Sequence, residues 1–175
     1  MGEPRVTYAR QGDVWILRFE GPIRYLLAPS VDRFIDRLFA GPAPYAVCLD
    51  LRGATAIDST GIVLLAKVAN GMHEAGRTRP VVVSTNPEIS ELLVNLCLDE
   101  VCILAASAPD APDAAVGESI PYTTPGEREL ARTVLEAHRL LSAISEENRE
   151  AFRSVIEAFA HEADEAAEAG GSSSA

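Results

Sequence analysis

Lysine is almost missing from this 175-residue chain: Lys67 is the single one, and the bases are otherwise arginine. Asp and Glu outnumber Lys and Arg by 26 to 15, a net charge of −11. Nucleic-acid phosphates require a basic face, so this balance argues against a nucleic-acid partner. Cysteine is scarce as well. Cys48, Cys97 and Cys102 are an odd set with no Cys-x-x-Cys spacing and apolar neighbours, which fits a reducing compartment and small buried hydrophobes. No run of about 18 apolar residues offers a membrane span. Met1–Arg10 lacks the apolar run of a signal peptide, so a cytoplasmic chain is expected. His73, His138 and His161 are scattered without metal-ligand spacing, and Gly41 and Gly53 stand outside any Gly-x-x-x-x-Gly-Lys loop. His73 instead falls near an expected helix end, where a favourable dipole contact suffices. A hydrolase centred on a serine would need a base, and the sequence nominates none. No cofactor and no enzyme activity are expected.

What is abundant is apolar residue, 47% of the chain, enough for a packed core. The acidity is unevenly spread. Residues 1–107 are nearly balanced, with 12 acids and 10 bases, whereas residues 126–175 hold 11 acids against 5 arginines. Two regions with different jobs follow: a domain over 1–107, a linker over 108–123 rich in Ala, Pro, Ser and Asp, a helical extension over 124–169 and a flexible tail over 170–175.

Within the first region, Val6–Arg10 and Val14–Glu20 flank Gln11-Gly12-Asp13, a hairpin signal. Apolar residues on both sides of the second run suggest a strand covered on both faces, ended by Gly21-Pro22. Val31, Phe34, Ile35, Leu38 and Phe39 recur at helical spacing, started by Pro29-Ser30. Tyr45–Leu51 reads as a central strand and Gly61–Ala69 as a second helix. Val81–Val83 is a buried strand, Pro87 opens a third helix and Val101–Leu104 is a last strand. The order ββαβαβαβ predicts an α/β fold with a mixed sheet and helices packed on it.

The chemically informative stretch joins the central strand to the second helix. Asp58 and Ser59 are good helix-start residues. A hydroxyl there sits beside unpaired backbone N–H groups and the positive end of a helix dipole, a place that tolerates a phosphate attached to serine. Such a modification adds nearly two negative charges at one point, repelling a partner pressed against that corner. Asp-Ser-Thr-Gly alone is also ordinary capping sequence.

The wider pattern resembles the STAS family of anti-sigma-factor antagonists over roughly residues 5–105. The resemblance is carried by Leu49-Asp50-Leu51-Arg52, by the corner Ile57-Asp58-Ser59-Thr60-Gly61, by the apolar run Ile62 to Leu65, and downstream by Val83-Ser84-Thr85-Asn86-Pro87 and Leu92–Leu98. It implies a bacterial phosphoprotein without a cofactor. Ser59 matches the phosphorylated serine, and Thr60 is a weaker candidate. An anti-sigma factor that is also a serine kinase would be captured while Ser59 is unphosphorylated, and a metal-dependent serine phosphatase would reset it. The partner surface would comprise Asp58, Ser59, Thr60, Gly61, Ile62, Val63 and Ala66, with Gly61 admitting close backbone approach. Val63 stands where the family often has a small residue, which makes this helix face bulkier. All of this requires that Ser59 be reachable. Small stand-alone members also serve as subunits under ABC-type lipid transporters, contacting the ATPase through the same corner; a small-ligand or nucleotide sensor is a further reading.

In the extension, Thr124-Pro125-Gly126-Glu127 suggests a capping box. Leu130, Val134, Ala137, Leu141 and Ile144 form one stripe. Ser145 can cap a second helix carrying Phe152, Val155, Ile156, Phe159 and Ala163, completing a helical hairpin or one kinked helix. Its stripe could pack on the domain, form a homodimer or dock a partner as an amphipathic helix.

Overall fold

The computed structural model describes residues 3–107 and 117–171. The elements run β1 (Arg5–Gln11), β2 (Val14–Ile23), α1 (Ala28–Phe39), β3 (Ala46–Ile57), α2 (Ser59–Glu74), β4 (Val81–Val83), α3 (Pro87–Asn95), α4 (Leu98–Val101), β5 (Ile103–Ala105), β6 (Glu118–Ser119), α5 (Glu127–Ile144) and α6 (Glu146–Gly171). The strands form one sheet in the order β5-β4-β3-β2-β1-β6, antiparallel at β1–β2 and β1–β6 and parallel from β2 to β5. The mixed α/β fold expected from the sequence is therefore present. Among the described residues no helix is long and apolar enough to cross a membrane.

Strand register aligns Tyr8, Leu17, Leu49, Val82 and Leu104 in one row across the sheet, Tyr8 through the antiparallel pair and the rest through parallel ones. Leu17, Leu49 and Val82 in that row are at most 1% exposed and belong to the main core with α1 and α2. The opposite face is less fully covered: Ile16 is buried, Cys48 and Val81 are half-buried and Ile103 is exposed. On β2 itself that face carries exposed Val14 and half-buried Arg18 and Glu20 beside buried Ile16, so the strand is closer to one-sided than its apolar sequence suggests. Asp50 also leaves the row of apolar residues. It is 1% exposed and held by Arg18 Nε at 3.0 Å, by Arg52 Nε and Nη2 at 2.9 and 2.8 Å and by the Arg52 backbone N–H at 3.1 Å. Burial alone would raise its pKa, but these arginine contacts outweigh it and hold the carboxyl below its ordinary value.

Several boundaries differ from the sequence reading because pairing overrides local signals. β2 continues through Gly21-Pro22 to Ile23, and β3 passes Leu51 to reach Ile57, since Gly21↔Ala54 and Ile23↔Ile57 remain paired across register shifts. In the expected linker, residues 108–116 lie outside the described residues, while β6 pairs with β1 and Ile120 is buried. A short helix, α4, precedes the last strand, and Cys97 enters it at φ 60. Cys102 is 1% exposed, and burial pushes its thiol up to about 12; Cys48 and Cys97 are half-buried. α2 ends as expected beside His73: Gly76 has φ 66, and the N–H groups of Arg77 and Gly76 bond the carbonyls of Met72 and His73 at 2.8 and 2.9 Å. Gly126, not Thr124, is the N-cap of α5, without a side-chain cap bond. Ser145 does cap α6, accepting from the Asn148 N–H at 3.1 Å. Gly170 and Gly171 close α6, and residues 172–175 of the expected tail lie outside the described residues.

Candidate functional site

The C-terminal ends of the parallel strands β2 and β3 deliver the corner. Ile23 and Ile57 are register partners, and the Asp58 N–H donates to the Ile23 carbonyl at 3.1 Å. Asp58 then caps α2 in extended geometry, φ −96 and ψ 176. One carboxylate oxygen accepts from the Gly61 N–H at 2.8 Å. The other accepts from the Tyr25 N–H at 2.8 Å, tying the β2–α1 loop to the helix start. The cap satisfies one of the orphan donors of α2 and fixes where Ser59, its first residue, projects.

Gly61 is small for an internal reason. A Cβ there would stand 2.8 Å from Ile57 Cγ1 and 3.0 Å from Ile23 Cγ2. The glycine lets α2 sit down on the strand ends, so the expected room for a partner's backbone is taken by the chain's own isoleucines. Thr60 is 4% exposed, Ile62 0%, Val63 3% and Ala66 7%. The expectation that Ile62, Val63 and Ala66 lie on an open part of the helix is not met. Helix α2 is buried nearly all round because the sheet and α1 take one side and α5 takes another.

The cover over Ser59 is the residue that sequence reasoning left unused. His138 on α5 brings Nε2 to 3.0 Å from Ser59 Oγ, across 79 residues of sequence. Its Nδ1 lies 2.7 Å from the Val134 carbonyl, which can only accept. That contact places a proton on Nδ1, so in the neutral imidazole Nε2 is the acceptor for the serine hydroxyl. The imidazole is 5% exposed and backed by Phe152 and Phe159 of α6, with ring centroids at 5.2 and 6.4 Å. The only sequence signal was positional: His138 follows Val134 by one helical turn beside Ala137, a polar residue on an apolar stripe.

Other contacts seat the hairpin around this pair. Arg33 of α1 pairs with Glu129 of α5. Asn148 Nδ2, on a residue 2% exposed, donates to the Leu96 carbonyl at 2.9 Å. Val134, Ala137 and Leu141 are at most 7% exposed. Of the three occupants open for the stripe, the chain's own domain is the one that takes it here. A groove of about 450 Å³ remains beside the pair, lined by Tyr25, Asp58, Thr60, Leu130, Val134 and Phe159 among others. Ser59 itself is half-buried, with its hydroxyl engaged.

The fold has counterparts among known proteins. The family model of the STAS domain matches residues 5–111. The fold is similar to an anti-sigma factor antagonist from Mycobacterium paratuberculosis, at 21% identity and TM-score 0.55, covering 64% of this chain and 93% of that one. It is also similar to a candidate anti-sigma factor antagonist from Thermotoga maritima, at 19% identity and TM-score 0.54, covering 61% and 90%. The antagonist SpoIIAA in its unphosphorylated form aligns at 10% identity and TM-score 0.50, covering 59% and 89%. Among curated proteins none matches the sequence.

Proposed function

Because this chain belongs to the STAS domain family, we propose that it is an anti-sigma factor antagonist acting by partner switching in a bacterial cytoplasm. In this reading the Ser59 corner captures an anti-sigma factor that is also a serine kinase. Phosphorylation of Ser59 ends the complex, and a serine phosphatase restores it. The chain acts by binding and not by turnover of a substrate. The observation that carries the reading is the placing of Ser59: first residue of α2, beside a carboxylate cap that fixes the helix start on the rigid ends of two parallel strands. Phosphorylation there adds nearly two negative charges to the surface presented to a partner. Asp58, Thr60 and the first turns of α2 form the rest of the docking surface once α5 is moved aside.

The test is capture of an ATP-binding serine kinase from source-cell lysate by full-length variants. Ser59→Ala is expected to retain the kinase and Ser59→Asp to lose it at least tenfold. Incubating kinase and wild-type chain with ATP should add one phosphate, on Ser59. Equal capture by the two variants, or phosphate elsewhere, overturns the reading.

A further inference from the structure

The hairpin raises a question that partner switching alone does not answer: how a modification site works while another part of the same chain sits on it. We propose that α5 is a cover acting in cis, whose seat on the corner and a phosphate on Ser59 exclude one another, so that partner docking competes with α5 and phosphorylation drives it off. This rests on the reading of Ser59 as the modified residue.

The geometry carries the exclusion. With Ser59 Oγ and His138 Nε2 only 3.0 Å apart, a phosphorus atom replacing the serine proton on that line has no space for its three further oxygens, so the phosphate either displaces the ring or breaks the contact by turning into the groove beside the pair. The ring cannot retreat by itself, because Nδ1 is bonded to the Val134 carbonyl and Phe152 and Phe159 stand behind it. Charge acts in the same direction. The new dianion would lie beside the Asp58 carboxylate, which caps the same helix start. In the modification itself, Ser59 Oγ bonds to the γ-phosphorus of a nucleoside triphosphate. The bond from that phosphorus to the bridging oxygen of the departing nucleoside diphosphate breaks, and the hydroxyl proton passes to a base of the kinase. In the seated state that proton points at His138 instead, so transfer takes place from the open state.

Lifting α5 uncovers Val63 and Ala66, apolar members of the docking surface that are at most 7% exposed and line clefts shared with Leu140 of α5. Partner and α5 thus claim the same face. By linkage, whatever binds the bare corner also opens the hairpin, and to the same degree that a seated hairpin weakens that binding. The acidic hairpin, with 11 acids in residues 126–175, would then extend away from an anionic corner.

The experiment needs neither kinase nor anti-sigma factor, so its failure is separable from failure of the capture test. The full-length chain is prepared with serine or with phosphoserine encoded at position 59, and amide hydrogen exchange is read by peptide mass spectrometry. Phosphoserine is expected to speed exchange in residues 130–144 at least tenfold and to loosen 60–69, leaving β2 and β3 unchanged. His138→Ala with the native serine should speed exchange over 130–144 several-fold in the same pattern. Unchanged or stronger protection of α5 in the phosphorylated chain overturns the proposal, since it would mean that His138 accommodates the phosphate. Equal loss of protection in the sheet also overturns it, as a general loosening of the fold.

Discussion

Two regions meet at Ser59, and they hold it in different ways. From one side come β2, β3 and α1: parallel ladders, a capping carboxylate with two backbone donors, and side chains such as Ile23, Leu49 and Leu51 at 0% exposure. From the other comes the α5–α6 hairpin, held by the His138 contact to the serine, the Arg33–Glu129 pair, the Asn148–Leu96 bond, the Cys97 thiol against Ser145 and Glu147, and a narrow apolar stripe. The first set binds strands far apart in sequence into a single unit that cannot yield piecemeal. The second is carried by one supersecondary motif joined to the domain by a single connection, so it can leave as a unit. A hydroxyl placed between a fixed seat and a removable cover is suited to switching, and the comparison is open to experiment.

The largest effect is expected in the sheet. Leu49→Ala should cost about 3–5 kcal/mol in urea unfolding. Fluorescence of Trp15, on β2, and far-UV circular dichroism should fall together. Leu141→Ala, on the covering face of α5, should cost about 2–3 kcal/mol. Here helical dichroism should fall before Trp15 fluorescence, and coincident transitions would refute a separable hairpin. Asp50→Asn is next, at about 2 kcal/mol, because two arginines lose their buried acceptor. The Asp50 pKa is depressed in the folded state. Its contribution is therefore present above the unfolded value near about 3.9 and is lost as pH falls through the folded value. Stability of the wild type should decline over that acid range more steeply than that of Asp50→Asn; parallel slopes would remove Asp50 from the account. The smallest effect is Asp58→Ala, about 1–2 kcal/mol, from loss of the cap on α2 and of its bond to Tyr25. Exchange at the amides of Tyr25 and Gly61 should rise, and an unchanged rate at either would show that another group caps the corner.

Much of this molecule could be read before folding was considered. Apolar spacing placed β1, β2, α1, β3, α2, β4 and α3, because strands and helices bury faces at periods set by backbone geometry. The run Ile57-Asp58-Ser59-Thr60-Gly61 placed the corner, because a cap bonds groups only a few residues away. Even the burial of the first turns of α2 had a local sign, since Ile62 to Ala66 is apolar without interruption and a stretch of helix apolar all round must be covered all round.

Other features had no such local sign. The continuation of β2 past Gly21-Pro22 depends on a neighbouring strand that pairs with it, and β6 exists only because β1 has a free edge at that position. Gly61 looked like an opening for a partner, and turned out to be the space that Ile23 and Ile57 occupy. His138 gave no hint of its target, because nothing in the residues around it refers to position 59. Local sequence determines which segments bury which faces, through interactions within a few residues. Which buried faces meet, and hence that an imidazole on the fifth helix covers a hydroxyl on the second, is decided only when the packed chain satisfies them all at once.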